Sequence, residues 1–188
     1  MANSNYLKPS SVYHNLTHVR HDLAHCLAPG LFRSLKRGDR KRMRLDVVYE
    51  YGNNESIRFK GPEPLGADDL RILQGIVAMA GPNGLVLAQD SDNELGQQLR
   101  LFLDLRWDAI FQDVLVVKQS YRSLAKEIGM DPDRGDTFKT IRLSIDRLFA
   151  VSIYIKSGSV QRNYRLLSAC ESDDKNKKLL IAINPRIT

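Results

Sequence analysis

The sequence predicts an α+β fold: a helix-turn-helix closed by a β-hairpin, with a further hairpin and a basic arm in front. Three observations predict it. Residues 136–149 place Phe138, Ile141, Ile145, Leu148 and Phe149 on one stripe of a 3.6-residue repeat. Residues 151–155 and 161–167 alternate as two strands about the turn Ser157-Gly158-Ser159. Residues 45–51 and 56–59 alternate in the same way about Gly52-Asn53-Asn54-Glu55, a second hairpin signal.

In chain order, residues 1–11 are a polar lead without the apolar stretch of a signal peptide. Residues 13–35 mix histidines with Leu, Val and Phe and break at Pro29-Gly30; residues 36–44 are a basic run interrupted by Gly38. After the first hairpin, Gly61-Pro62-Glu63-Pro64 is a rigid break. Residues 68–80 then read as a helix with Leu70, Leu73, Ile76, Val77 and Ala80 on its inner face, stopped by Gly81-Pro82. Residues 90–96 form a polar loop, with short strands at 99–103 and 114–117. Residues 119–128 read as a helix capped by Ser120, with Leu124, Ala125 and Ile128 inward and Gly129 free to take the positive φ that ends a helix. Ala125 is small where two helices must cross closely. A longer connection, 130–135, leads to the second helix, 136–149, whose opposite face carries Lys139, Thr140, Leu143 and Arg147. Lys156 and Arg162 sit beside the turn of the late hairpin, where a wing meets phosphates. Residues 168–176 are a polar loop, and 179–183 are a last strand stopped by Asn184-Pro185. The whole is a winged helix-turn-helix domain over 45–188, preceded by a His-rich and basic arm over 1–44.

Length and charge set the class. The 188 residues, 43% of them apolar, suffice for a real core in one domain with appendages. No run of 18 apolar residues exists to span a membrane. Cys26 and Cys170 lie far apart and make no disulfide framework, so reduced thiols in a cytoplasm are expected. Residues 1–44 hold nine Lys/Arg against two acids, 45–117 five against twelve, and 118–167 ten against five. The positive field is therefore carried by the arm and the helix-turn-helix region, which is where a polyanion would dock.

The densest cations are Arg33, Lys36, Arg37, Arg40, Lys41, Arg42 and Arg44, tied directly to a strand. They read as a phosphate clamp or a minor-groove arm rather than a solvated tail. In the helix-turn-helix, Ser120, Arg122, Lys139, Thr140 and Arg147, with Lys156 and Arg162 of the wing, complete the candidate DNA-binding set. The bland alternative is a winged fold used for packing or dimerisation. His14, His18, His21 and His25, followed by Cys26, share one side of a helix at spacings of four, three and four; without a second well-separated ligand pair they read as a polar arm rather than a zinc site. No GxxxxGK[ST] loop is present, and Asp68-Asp69 reads as a pair of first-turn acids favoured by the helix dipole. Neither an enzyme, a cofactor nor a small-molecule substrate is expected.

Residues 18–26 (HVRHDLAHC), 27–44 (LAPGLFRSLKRGDRKRMR), 61–87 (GPEPLGADDLRILQGIVAMAGPNGLVL), 120–129 (SYRSLAKEIG) and 179–185 (LLIAINP) closely resemble the RepC-type, iteron-binding replication initiators of IncQ-like plasmids. The resemblance covers nearly the whole chain. It implies two winged-helix domains in tandem, of which this chain resembles the first, with Ile183-Asn184-Pro185 like that domain's last strand. It further implies binding to double-stranded iteron DNA at an origin, opening of adjacent AT-rich DNA, and loading of the plasmid's helicase and primase. In better-known relatives the second domain makes the principal major-groove contacts, and the first supplies backbone contacts and the dimer interface. On that division Lys139, Thr140 and Arg147 meet phosphates or a partner subunit rather than base edges. The alternative function is a dimerisation or protein-interaction module of the initiator with weak, non-specific DNA binding.

Overall fold

The structure, a computed structural model, describes residues 30–50, 54–83, 85–87, 114–173 and 178–183. The described elements run β1 (Phe32–Arg33), α1 (Asp39–Arg42), β2 (Leu45–Glu50), β3 (Glu55–Gly61), β4 (Leu65–Gly66), α2 (Ala67–Asn83), β5 (Leu85–Leu87), β6 (Val114–Ser120), α3 (Tyr121–Glu127), α4 (Thr137–Phe149), β7 (Ser152–Ser157), β8 (Val160–Arg165), β9 (Leu167–Asp173) and β10 (Lys178–Ile183). This is a mixed α+β fold. The expected strand at 99–103, the loop at 90–96, the four histidines and Cys26 lie outside the described residues.

Local chemistry explains the helix pair. Ser120 caps α3 by accepting the Ser123 N–H at 3.0 Å. The helix ends where Gly129, at φ +64°, donates to the Lys126 carbonyl and Met130 donates to the Ala125 carbonyl. That pair of bonds is a Schellman motif, and the left-handed residue it needs is the glycine expected there. Helix α4 buries Ile141, Ile145 and Leu148 along the predicted stripe, with Phe138 and Phe149 packed against the core at its ends. The Tyr121 and Phe138 rings meet at 6.0 Å between centroids and join the two helices.

Helix α2 runs along both α3 and α4, and its buried stripe is Ile72, Leu73, Ile76, Met79 and Ala80. This is turned from the expected face, because Leu70 and Val77 are only half-buried. A helix packed on two sides needs a wider apolar stripe than one seam, and a single period cannot centre it. Ala125, expected where two helices cross closely, is fully buried; where α2 meets α3 the close approach is at Gly75, since a Cβ there would lie 2.2 Å from Ile128 Cγ2.

The strands divide between two four-stranded antiparallel sheets, ordered β2-β3-β7-β8 and β5-β6-β10-β9, with β1 and β4 paired in parallel beside them. The front hairpin is therefore an edge-to-edge extension of the late one, through pairs such as Ile57↔Ile155 and Phe59↔Ile153. Two expectations are corrected. Residues 161–167 are not one strand: Leu166 and Leu167 are both buried in succession, which breaks the two-residue alternation, and the chain passes there from one sheet to the other. Residues 168–173 are not a loop but most of β9, paired with β10 apart from a register shift at Ser168. Their polar side chains suggested a loop, yet a strand with one solvated face carries polar residues as readily. Half-buried Cys170 lies on this strand, and burial, helped by Asp146, pushes its thiol up to about 11.

The basic segment is no dangling arm where the structure describes it. Leu31 is buried in the core, β1 pairs with β4, and α1 docks on the N-terminus of α2. No described helix is long and apolar enough to cross a membrane.

Candidate nucleic-acid interface

The geometry centres on Asp69, whose side chain is 0% exposed at the third position of α2. One carboxylate oxygen accepts the Gly66 N–H at 2.7 Å, the reach-back half of a capping box, and Arg40 at 3.0 Å. The other accepts the Ser144 hydroxyl and the Arg147 guanidinium, at 2.9 Å from Nε and 2.7 Å from Nη2. Asp68 adds a bond from Arg40 at 2.6 Å. Burial pushes the Asp69 carboxyl up, but the bonds from Arg147, Gly66 and Ser144 outweigh it and hold it below its ordinary range. Gly66 leaves the space this cluster needs, since a Cβ there would lie 2.6 Å from Asp68 Oδ1 and 2.8 Å from Arg40 Nη2.

Two of the sequence-derived DNA contacts are thereby reassigned. Arg147, expected on the outer face of α4, keeps only 11% of its side chain exposed and is committed to Asp69. Arg40 is half-buried in the same cluster. Neither guanidinium can reach a phosphate without stripping a buried carboxylate of its partner. The Asp68-Asp69 pair, read from sequence as dipole-favoured acids, is the anchor for both.

The remaining candidates fall into two groups. Ser120 is engaged as the α3 cap, Thr140 donates back to the Asp136 carbonyl at 3.0 Å, and Arg122 pairs with Asp133 across the connection to α4. Arg44 donates to the Pro62 carbonyl, Arg33 lies against the Met43 sulfur, and Arg42 keeps a loose 3.5 Å contact with Asp39. By contrast, Lys36, Arg37, Lys41, Lys139, Lys156 and Arg162 are exposed, and their side chains have no ionic partner among the described residues.

Strand alternation separates two of these. Lys156 pairs with Gln161 and faces outward from the sheet, whereas Arg162 pairs with Ile155 on the opposite face of the hairpin. The shared carboxylate of Asp69 ties α1 to the later half of α4 through Arg40 and Arg147, while Lys139 lies about two turns nearer the start of that helix. Arg142, Leu143 and Asp146 complete the exposed side of α4, with Leu143 47% exposed.

Sequence reasoning passed over Arg58 and Lys60. Their alternation with buried Ile57 and Phe59 marked them as solvent-facing, but nothing local said that β3 would pair with β7 and set them beside Tyr154 and Lys156. Among the described residues no three His, Cys, Asp or Glu side chains gather as metal ligands would.

Residues 13–188 match the family model described as replication protein C (RepC). No curated protein and no solved structure matches the chain.

Proposed function

This chain belongs to the replication protein C (RepC) family, and from that membership we propose that it is a plasmid replication initiator acting on double-stranded origin DNA in the cytoplasm. It acts by binding, not catalysis, within a winged-helix framework in which α3 and α4 are the helix pair and β7-β8 the wing. The observation that carries the reading is the docking of the basic segment beside α4 through Asp69. That contact ties two separate positive stretches of sequence to one buried carboxylate, and the exposed cations of the reading are Lys36, Arg37 and Lys41 on the first stretch and Lys139 on the second. Backbone contacts from such surfaces fix register on a duplex without reading sequence. Iteron recognition, opening of the flanking DNA, and delivery of the helicase and primase follow from the resemblance to IncQ-type initiators.

The test is fluorescence anisotropy on an iteron duplex and a scrambled duplex across a salt series. Preference for the iteron means that these residues read bases; equal, steeply salt-dependent affinity means that they clamp the backbone. Replacing Lys36, Arg37 and Lys41 together by Ala is expected to weaken both duplexes alike and to lower the log–log salt slope by about 2.7, roughly 0.9 for each phosphate contact. An unchanged slope would remove this segment from the interface. The pair Lys139→Ala and Arg162→Ala tests the helix and wing in the same way.

A second reading has one observation in its favour. Leu143 is an exposed, large apolar side chain in the middle of the α4 outer face, as suits a protein interface. If Leu143→Lys converts a dimer to monomer in sedimentation while duplex affinity per chain holds, α4 faces a second copy rather than DNA.

A further inference from the structure

We propose that the outer face of the β2-β3-β7-β8 sheet, the face of the wing opposite Arg162, is a binding site for single-stranded DNA, distinct from the α4 and Arg162 surface assigned to the duplex. The choice of DNA rests on the replication reading above; the single-strand chemistry rests on the face itself.

The registers lay this face out in rows. Asp46, Lys60, Ser152 and Arg165 form one, Val48, Arg58, Tyr154 and Asn163 the next, and Glu50, Ser56, Lys156 and Gln161 the third. Tyr154 thus stands at the centre, with Lys60 one row to one side and Lys156 one row to the other, each roughly 7 Å along the strands. Both lysines are exposed; Lys60 stands opposite Asp46, whose carboxylate is already bonded by Arg58, and Lys156 has no ionic partner among the described residues. The three lie around a depression of about 380 Å3, which falls within the size of a small-ligand site, about 300–1,000 Å3. Its apolar floor includes Val48, left 49% exposed. Arg58 is held in plane by two 2.7 Å bonds to Asp46, so it presents a fixed guanidinium beside the ring rather than a mobile charge.

Each part suits an unstacked nucleotide. The Tyr154 ring offers a stacking surface, Val48 a contact for the base edge, Gln161 and Asn163 amides for base hydrogen bonds, and Lys60 and Lys156 a cation for the phosphate on either side. Lys60 Nζ lies 5.9 Å from the Tyr154 ring centroid, at the outer limit of a cation–π contact, and a base can displace it. A duplex cannot use this centre, because its base faces are covered by their neighbours; only the lysines would engage it. The face therefore favours strands that have come apart, the product of origin opening.

The experiment uses the full chain with a fluorescein-labelled oligothymidylate and, in parallel, a labelled random duplex. Tyr154→Ala is expected to weaken oligothymidylate binding about ten- to a hundredfold, the effect of one lost aromatic–base stack, and to leave duplex binding and the melting midpoint near the parent. Tyr154→Phe should bind as the parent does. Lys60→Ala with Lys156→Ala should weaken the oligothymidylate and lower its salt slope by about 1.4, roughly 0.7 for each contact. No oligothymidylate binding by the parent at low salt, or an unchanged affinity in Tyr154→Ala, overturns the proposal. Equal loss on both probes also overturns it, by making the face a duplex surface. Duplex binding lost only in Lys139→Ala with Arg162→Ala bears on the previous reading alone.

Discussion

Asp69→Ala is expected to destabilise the fold by about 3–5 kcal/mol, the range for breaking a buried ion pair from one side. The carboxylate is wholly buried, and its removal strands the Arg147 guanidinium, the Gly66 N–H and the Ser144 hydroxyl at once. For a chain of this size the thermal midpoint should fall by roughly 6–20 °C. Asp68→Ala is the control: that side chain is 39% exposed and shares only part of the cluster, so it should cost about 1 kcal/mol or less. Equal shifts for the two variants would mean that Asp69 does not join α2 to α4 and α1. The functional consequence is specific. Loss of Asp69 frees Arg40 and Arg147, so a variant that still folds at low temperature should bind duplex with a steeper salt dependence than the parent.

The same residue gives stability a pH dependence of known sign. The folded-state Asp69 carboxyl is held below its ordinary value of 3.8. Its contribution is therefore whole above that value and is lost as pH falls through the lower folded-state value. The gap in stability between the parent and Asp69→Asn, followed by urea unfolding, should be flat from neutral pH down to the ordinary carboxylate range. Below that it should narrow. A gap that instead changes between pH 6 and 8 would point to a different titrating group.

What the sequence made legible follows from the range of the interactions. The α3 cap at Ser120, its glycine exit and the inner stripe of α4 depend on neighbours within one or two turns, and the structure places them as read. The network around Asp69 was not legible, because Arg40 and Arg147 lie 29 and 78 residues away from it. Each looked like one more surface cation; only long-range packing shows that a buried acid claims both. Strand partners are non-local in the same way. The pairing of β3 with β7 joins segments about a hundred residues apart, and with it the outer face around Tyr154 comes into being.

Gly75→Leu is expected to cost about 3 kcal/mol or more and to abolish tight duplex binding with it. A glycine in a helix interior is itself unfavourable by about 1 kcal/mol relative to alanine, so its presence in α2 needs a compensating contact. That contact is the seat of Ile128 and Leu124: a Cβ at residue 75 would approach Ile128 Cγ2 to 2.2 Å and Leu124 Cδ1 to 3.1 Å. Ile128 is branched at Cβ and packed at the end of α3, so its methyl has no free rotamer to retreat into. The larger side chain must instead push α3 off α2, and α4 with it through the Tyr121–Phe138 contact. Gly75→Ala isolates the clash. Propensity alone would stabilise by about 1 kcal/mol, whereas overpacking costs about 1–3 kcal/mol, so a net loss of up to about 2 kcal/mol is expected. Ile128→Ala removes the opposing methyl, and Gly75→Ala on that background should recover most of the loss, a coupling that a double-mutant cycle reads directly. If Gly75→Ala stabilises the parent by the full propensity gain, α2 and α3 do not cross as closely as described, and the placement of α4 against the basic segment must be drawn again.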